Sequence, residues 1–430
     1  MDDVPMNAAA APDAATGTVL EGLGAALRPL TAFCLDVHQH PELSGQETRT
    51  ATRFAELLAA EGLLTTPQVG GTGVVGVLEN GPGPTVWLRA ELDALPGREE
   101  TGLPYAAAGE AAHSCGHDLH LGAAAGAAVL LARARESWRG TLVVLGQPAE
   151  ETLEGARAML TDGLYRRFPR PDVVLAQHSA PLPGGMLAHG YGPMTAGSVT
   201  LDVVVHGTGG HAGAPHLAVD PVLTAASAVT RLQGVVAREC APAEQVVVSV
   251  GSFHAGERAN VIPDRARLGL TVRAVGPESL ERALAAVERV LRAECAASGC
   301  PREPEITRTS SSPLTHPDPA ATARVREAHV RRFGHERVAM WPPTLATEDF
   351  ALYGDAGRAL HGEEGIALSY WMLGAVGPAA WSAAPGTTAA EKMAALPANH
   401  SPRFTVDLRT ALPTGIEALV TGAMSWLGRD

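Results

Sequence analysis

The sequence predicts an α/β fold: a mostly parallel sheet flanked by helices, interrupted by a smaller inserted α+β domain. Three observations carry this. Apolar strand-like runs alternate with helical stretches between residues 72 and 178, which calls for parallel pairing with helical crossovers. Near residue 195 the alternation gives way to the order β-α-β-β-α-β, the pattern of a compact split βαβ unit. From about residue 320, helix and strand resume. The expected organisation is a flexible N-terminal arm at 1–17, a larger domain at 18–195 and 310–430, and an inserted domain at 196–309.

The elements follow in order. Residues 18–62 read as helix with a break near HQHPELSG, and the apolar positions of 50–64 repeat at helical spacing. Short apolar runs at 72–79 and 84–90 read as strands, and the small-residue stretch 119–134 as a helix. TLVVLG at 141–146 is a strand, ETLEGARAMLTDG a helix, and DVVLAQH at 172–178 a further strand. In the insertion, 198–207 alternates apolar and polar residues like a half-exposed strand. A helix follows, with Asp220 as N-cap and Pro221 at its first position. Two strands, QVVVSVGSF and ARLGLTVRA, precede a long helix at 277–299 and a last strand ending near 308. Residues 310–319 form the return linker, and the chain ends in a helix from about Thr414.

Composition narrows the function classes. At ~150 residues per domain, 430 residues suggest two or three domains. Hydrophobic residues make up 46%, enough for a sizeable core, and abundant Ala and Gly favour tight helix–sheet packing. The net charge of -13 repels nucleic acid, and no Lys/Arg cluster offsets it locally. No apolar run reaches the ~18–20 residues of a membrane-spanning helix. The acidic N-terminus lacks the basic start and apolar stretch of a secretory signal. Cys34, Cys115, Cys240, Cys295 and Cys300 are odd in number and scattered, so a reduced, cytoplasmic setting is expected.

Five constellations carry chemistry. The densest is HSCGHDLH at 113–120, where Cys115 lies two residues from His113 and from His117. Thiolate, imidazole and carboxylate are transition-metal ligand types, and Gly116 lets the backbone turn so that Cys115 and His117 converge. The second is QPAEE at 147–151. Taken alone, a Glu pair at a helix start is ordinary macrodipole chemistry. After a strand, in extended chain, neighbouring side chains point apart, so one Glu can bind metal while the other faces an attacking water. The third is Gln177-His178-Ser179 at a strand end, where open α/β sheets bind ligands. NHSPRF at 399–404 reads on its own as a structural turn. GTGGHAGAPH at 207–216 combines glycines that allow close approach with His211, a donor toward a developing oxyanion.

Other patterns are set aside. Gly71–Gly76 has dinucleotide-fingerprint spacing but runs into strand and turn rather than a helix. His38, His40 and Glu42 flank Pro41 and read as a structural turn. His361-Gly362-Glu363-Glu364 reads as a solvated loop. Neither a G-x-S-x-G elbow nor an H-E-x-x-H helix is present.

Taken in order, these pieces, with LRAELDALPGREETGLPYAA at 88–107, ANVIPD at 259–264 and EDF at 348–350, resemble a known family. It is the two-metal aminoacylase and carboxypeptidase superfamily, peptidase family M20. The resemblance is to its amidohydrolase branch of hippurate hydrolases, N-acyl-amino-acid deacylases and auxin-conjugate hydrolases. It implies two divalent metal ions per subunit, Zn or Mn with Co or Ni as further options, held by Cys115, His117, Glu151, His178 and His400. It implies Glu150 as general base toward a metal-activated water. His211 and Asn260 would reach the substrate, His211 from the partner subunit of a homodimer formed through the inserted lid domain. Arg273 would hold a substrate carboxylate. The implied activity is hydrolysis of the amide bond of a small N-acylated amino acid or related conjugate. A dipeptidase or aminoacylase of the same superfamily is the alternative, and a non-catalytic binding protein on the same fold is the rival of another class. Glu91, Ala112, Ser114 and Gln177 depart from the family pattern and bear on substrate range and metal preference.

Overall fold

The computed structural model describes residues 14–428; of the expected N-terminal arm, residues 1–13 lie outside them. Residues 14–17 are not part of an arm, because they open the helix Ala14–Leu20, which buries Thr16, Val19 and Leu20. The described chain divides into two compact units, the larger comprising residues up to Gly192, Pro317–Pro342 and the chain from Asp349, the smaller Pro193–His316 and Pro343–Glu348. The smaller unit therefore takes in a segment that the sequence places in the larger one. Hydrogen bonds explain this: Ala196 N–H donates to Ala346 O and Thr344 N–H to Met194 O, and the Arg273 guanidinium donates to Leu345 O at 2.9 Å.

The larger unit is built on an eight-stranded sheet. Its order is Leu64–Val69, Gly73–Asn80, Gly140–Gln147, Thr85–Glu91, Val173–Pro183, Ala367–Val376, Leu187–His189 and Val338–Met340. Gly140–Gln147, Thr85–Glu91, Val173–Pro183 and Ala367–Val376 run parallel, as the helical crossovers between them require. Antiparallel pairs flank this core. From Thr85–Glu91 the chain crosses to Gly140–Gln147 on one side and then to Val173–Pro183 on the other. The strand order thus reverses at Thr85–Glu91, the place where open α/β sheets form a crevice.

The helix His117–Arg133 explains the Ala/Gly content. It is buried continuously from His117 to Leu131, and a Cβ on Gly122 would lie 2.1 Å from Cys34 Sγ. Only small side chains let the neighbouring helices Leu23–Gln39 and Leu408–Leu427 approach it this closely. The last helix begins at Leu408, not near Thr414, because the Asp407 carboxylate caps Arg409 N–H there. The strand Leu64–Val69, polar and half exposed, lacked an apolar signal in the sequence.

The smaller unit is a four-stranded antiparallel sheet ordered Val246–Ala255, Arg265–Ala274, Gly197–His206, Glu305–Ser312, with helices Pro221–Glu239 and Pro277–Ala297. Strand Arg265–Ala274 alternates strictly, burying Ala266, Leu268, Leu270, Val272 and Ala274. Asp220 accepts from Val222 N–H and Leu223 N–H, capping a helix that opens on Pro221.

Candidate metal centre and active site

Two chain segments leave the neighbouring parallel strands Thr85–Glu91 and Gly140–Gln147 and help to build the site. After Thr85–Glu91 comes Asp93. Its carboxylate accepts from Glu151 N–H at 2.9 Å and Ser44 Oγ–H at 2.7 Å, and its backbone carbonyl meets His117 Nδ1 at 2.8 Å. Asp93 thereby links the two segments that the sequence singles out. After Gly140–Gln147, residues 148–154 form a turn, and the helix starts only at Gly155. Ala149 and Leu153 have left-handed φ of 49° and 60°, which no helix tolerates. The Glu150–Glu151 pair is therefore not at a helix start. Nor do the two carboxylates diverge as in extended chain: Glu150 Oε2 and Glu151 Oε1 lie 3.7 and 3.8 Å from His117 Nε2.

Gly116 is where the Cys-Gly-His spacing takes effect. It adopts φ of 84° as N-cap of the helix His117–Arg133, and a Cβ there would lie 2.6 Å from Ser179 Oγ. Ser179 uses that hydroxyl to donate to Cys115 O at 2.7 Å. Asn399 donates to both Cys115 O and Ser179 O at 3.2 Å. His400 follows with φ of 71° and its N–H on Ser114 O at 2.8 Å. Three sequence-distant segments are thus fastened around one sulfur.

The ligand-type atoms of Cys115, His117 and His178 lie within 4.8 Å of one another, and so do those of Cys115, Glu151 and His400. Two of these histidines have Nδ1 on a backbone carbonyl, Asp93 O for His117 and Ser179 O at 2.9 Å for His178. That leaves Nε2 turned inward, the arrangement that orients metal-binding imidazoles. His178 Nε2 lies 3.4 Å from Cys115 Sγ, and His400 Nε2 lies 3.4 Å from Glu151 Oε2. A third cluster, Glu91, His117 and His120, meets the same distance criterion. However, His120 spends both nitrogens on Glu91 Oε2 at 2.7 Å and Ser179 N–H at 2.8 Å. It braces the site and offers no lone pair to an ion.

Buried polar atoms test whether cations fit. His117 Nε2, Glu151 Oε1 and Asp93 Oδ1 are buried without a hydrogen-bond partner, a costly state unless something else satisfies them. Burial and then the Glu151 carboxylate push the Cys115 thiol up to about 12. Burial also raises the Glu151 carboxyl above its ordinary value. His117 is raised well above its ordinary value, with burial opposing and Cys115 and Asp93 prevailing. Bound divalent cations would reverse each of these, ionising the thiol and carboxyl and deprotonating the imidazole. The donor set of sulfur, imidazole nitrogen and carboxylate oxygen suits Zn or Mn.

Beneath lies a support that sequence reasoning missed. Arg89, fully buried, donates to Glu91, to Gln147 Oε1 at 2.8 Å and to Asp349 Oδ1 at 2.9 Å. Glu91 is held well below the carboxylate range, because Arg89 and His120 outweigh the burial that opposes them. His38 is likewise no turn residue. It sits in the helix Leu23–Gln39, bonded to Asp118 at 2.9 Å and 3.2 Å from Glu99. Burial opposes its charge, yet these two carboxylates raise it to about 9. Glu42 caps the next helix through Arg49 N–H and Thr50 N–H.

His211, Asn260 and Arg273 lie in the smaller unit. His211 is exposed in a two-stranded ribbon opposite Val261, its Nδ1 accepting from Gly213 N–H at 2.9 Å. Asn260 O accepts from Ala212 N–H at 3.2 Å, so His211 and Asn260 adjoin. Arg273 stands apart from them on the strand Arg265–Ala274.

Comparison with known proteins agrees with this geometry. The sequence profile described as peptidase family M20/M25/M40 matches residues 87–377. N-acetylcysteine deacetylase of Bacillus subtilis is 35% identical over 323 residues, 74% of this chain and 83% of that protein. Hippurate hydrolase of Campylobacter jejuni is 35% identical over 321 residues, 74% of this chain and 82% of that protein. The solved YXEP protein of Bacillus subtilis, described as a dinuclear metal-binding peptidase of the M20 family, aligns with a TM-score of 0.74 at 27% identity, covering 93% of this chain and 98% of that one. On the profile match and on these relatives, the chain belongs to peptidase family M20/M25/M40.

Proposed function

We propose that the chain is a two-metal amidohydrolase that cleaves the amide bond of a small N-acylated amino acid or related conjugate. One observation carries the reading: two ligand triads, Cys115/His117/His178 and Cys115/Glu151/His400, share a single sulfur. A shared anionic ligand is what holds two cations side by side. The relatives named for N-acetylcysteine and hippurate support an N-acyl amino acid as the substrate class. Zn or Mn, with Co or Ni as alternatives, suits the donors.

When bound, the cations would polarise the scissile carbonyl and acidify the attacking water. Glu150, nearly buried beside His117 Nε2, takes the proton from that water and delivers it to the leaving amine nitrogen. Glu151, His117, His178 and His400 hold the centre, and Asp93 and Ser179 fix the two imidazole tautomers. His211, within a homodimer, and Asn260 contact the substrate, and Arg273 receives a carboxylate.

Glu150→Gln keeps shape and removes the base. It is expected to retain metal while turnover falls on the order of 10²–10⁴-fold; metal analysis with hydrolysis of an N-acyl amino-acid panel reads both. Wild-type turnover in this variant rules out the base assignment. A parallel panel of dipeptides separates a deacylase from a dipeptidase.

A further inference from the structure

Of the 33 Lys and Arg residues, only Lys392 is a lysine. It lies in an excursion of residues 377–399, between the strand end at Val376 and His400. The excursion contains two short helices, Pro378–Ala383 and Ala389–Ala395, and neither buries a residue. Apolar packing of these helices, limited to the partly buried Trp381 and Met393, does little to fix its shape.

Polar fastenings within the excursion fix it instead. Lys392 Nζ donates to Trp381 O at 2.9 Å, Ala384 O at 3.2 Å and Ser382 O at 3.5 Å. These carbonyls end the first helix, where no intrahelical partner remains and a cation is favoured. A capping box between Thr388 and Glu391 starts the second. The three acceptors explain why a chain that otherwise uses arginine has lysine here. An ammonium directs three donors from one atom, whereas a guanidinium directs its donors outward in one plane. Directly after this clamped segment come Asn399, bonded to Cys115 O and Ser179 O, and His400, in left-handed backbone beside Glu151.

We infer that Lys392 is a positioning residue: by clamping the excursion it pre-places His400 at the metal centre, so that the ion held by Cys115, Glu151 and His400 binds without ordering a loose segment. This rests on the reading of His400 as a ligand. Without the clamp, the segment's conformational freedom is lost at the moment of metal binding.

The test is chelator competition on the full-length protein, which yields two metal dissociation constants. Lys392→Met is expected to weaken one about tenfold, as loss of ligand-supporting groups does, with the other changing less than about twofold. Lys392→Arg does not restore it. In a His400→Ala background, Lys392→Met has no further effect. Reductive methylation of the folded wild type provides a second route that bypasses folding. Dimethylation keeps the charge but leaves one N–H, and no other side chain in the protein carries an amine. It is expected to reproduce the weakening in wild type and not in methylated Lys392→Met, which controls for the N-terminal amine. Unchanged constants in both Lys392→Met and methylated protein, with His400→Ala losing an ion, overturn the inference and leave the reading intact. Equal weakening with and without His400 also overturns it. Wild-type affinity for both ions in His400→Ala overturns inference and reading together.

Discussion

Gly116→Ala adds one methyl group at the turn between Cys115 and His117, and the structure sets its cost. At φ of 84° an L-residue costs ~1–2 kcal/mol relative to its relaxed conformation. The added Cβ would sit 2.6 Å from Ser179 Oγ and 3.1 Å from Ser179 Cβ. Ser179 must then give up its bond to Cys115 O, a further ~1 kcal/mol. The expected loss is ~2–3 kcal/mol of unfolding free energy, read from urea denaturation of the metal-free protein. Chelator competition should show weaker binding as well, because the same displacement shifts the Cys115 carbonyl that Asn399 also grips. Adding Ser179→Ala removes the Oγ contact but not the backbone strain, and it loses the same bond to Cys115 O, so the double variant should be about as stable as Gly116→Ala alone and the two changes should be non-additive. A stability change within ~0.5 kcal/mol, the range of an innocuous surface substitution, together with unchanged metal affinity, would refute the claim that this turn sets the site.

Cys115→Ala removes the sulfur common to both candidate triads, so elemental analysis should find fewer than two ions per chain; full occupancy would rule out the shared sulfur. Acid sensitivity should trace partly to His329. Burial lowers it from 6.5 to about 4, and it is bonded to His189 at 3.0 Å and to Ala418 O at 2.9 Å. Unfolded it takes up a proton near pH 6.5 and folded only near 4. Its contribution, ~3 kcal/mol, is therefore complete above pH 6.5 and lost as pH falls toward 4. His329→Asn should flatten the fall in urea midpoint over that window, and an unchanged slope would exclude His329 as its source.

Much of the site was legible because its chemistry is local. Cys115 and His117 are two residues apart across a glycine, and Glu150 and Glu151 directly follow a strand. Residue type and spacing point to ligands before any contact is known. His120 and His38 show the limit. Both sit among acids and histidines and look like ligands or turn residues, yet each has its nitrogens committed to buried carboxylates or backbone. Asp93 carried no distinguishing signal within ELDALP, although it bonds two of the segments that the sequence marks.

By itself, the sequence determined the α/β class, the β-α-β-β-α-β insertion and which short stretches, such as 113–120 and 147–151, carry residues of metal-binding type, since periodicity, breakers and ligand types are properties of short stretches. Only the tertiary structure decided which of them meet. One sulfur is shared by two triads because helix His117–Arg133, strand Val173–Pro183 and the turn at His400 converge on it from positions far apart in the chain. Convergence of this kind depends on sheet order, left-handed turns and buried supports such as Arg89 and Ser179. Those are set by packing across the whole unit, which no local pattern of residues encodes.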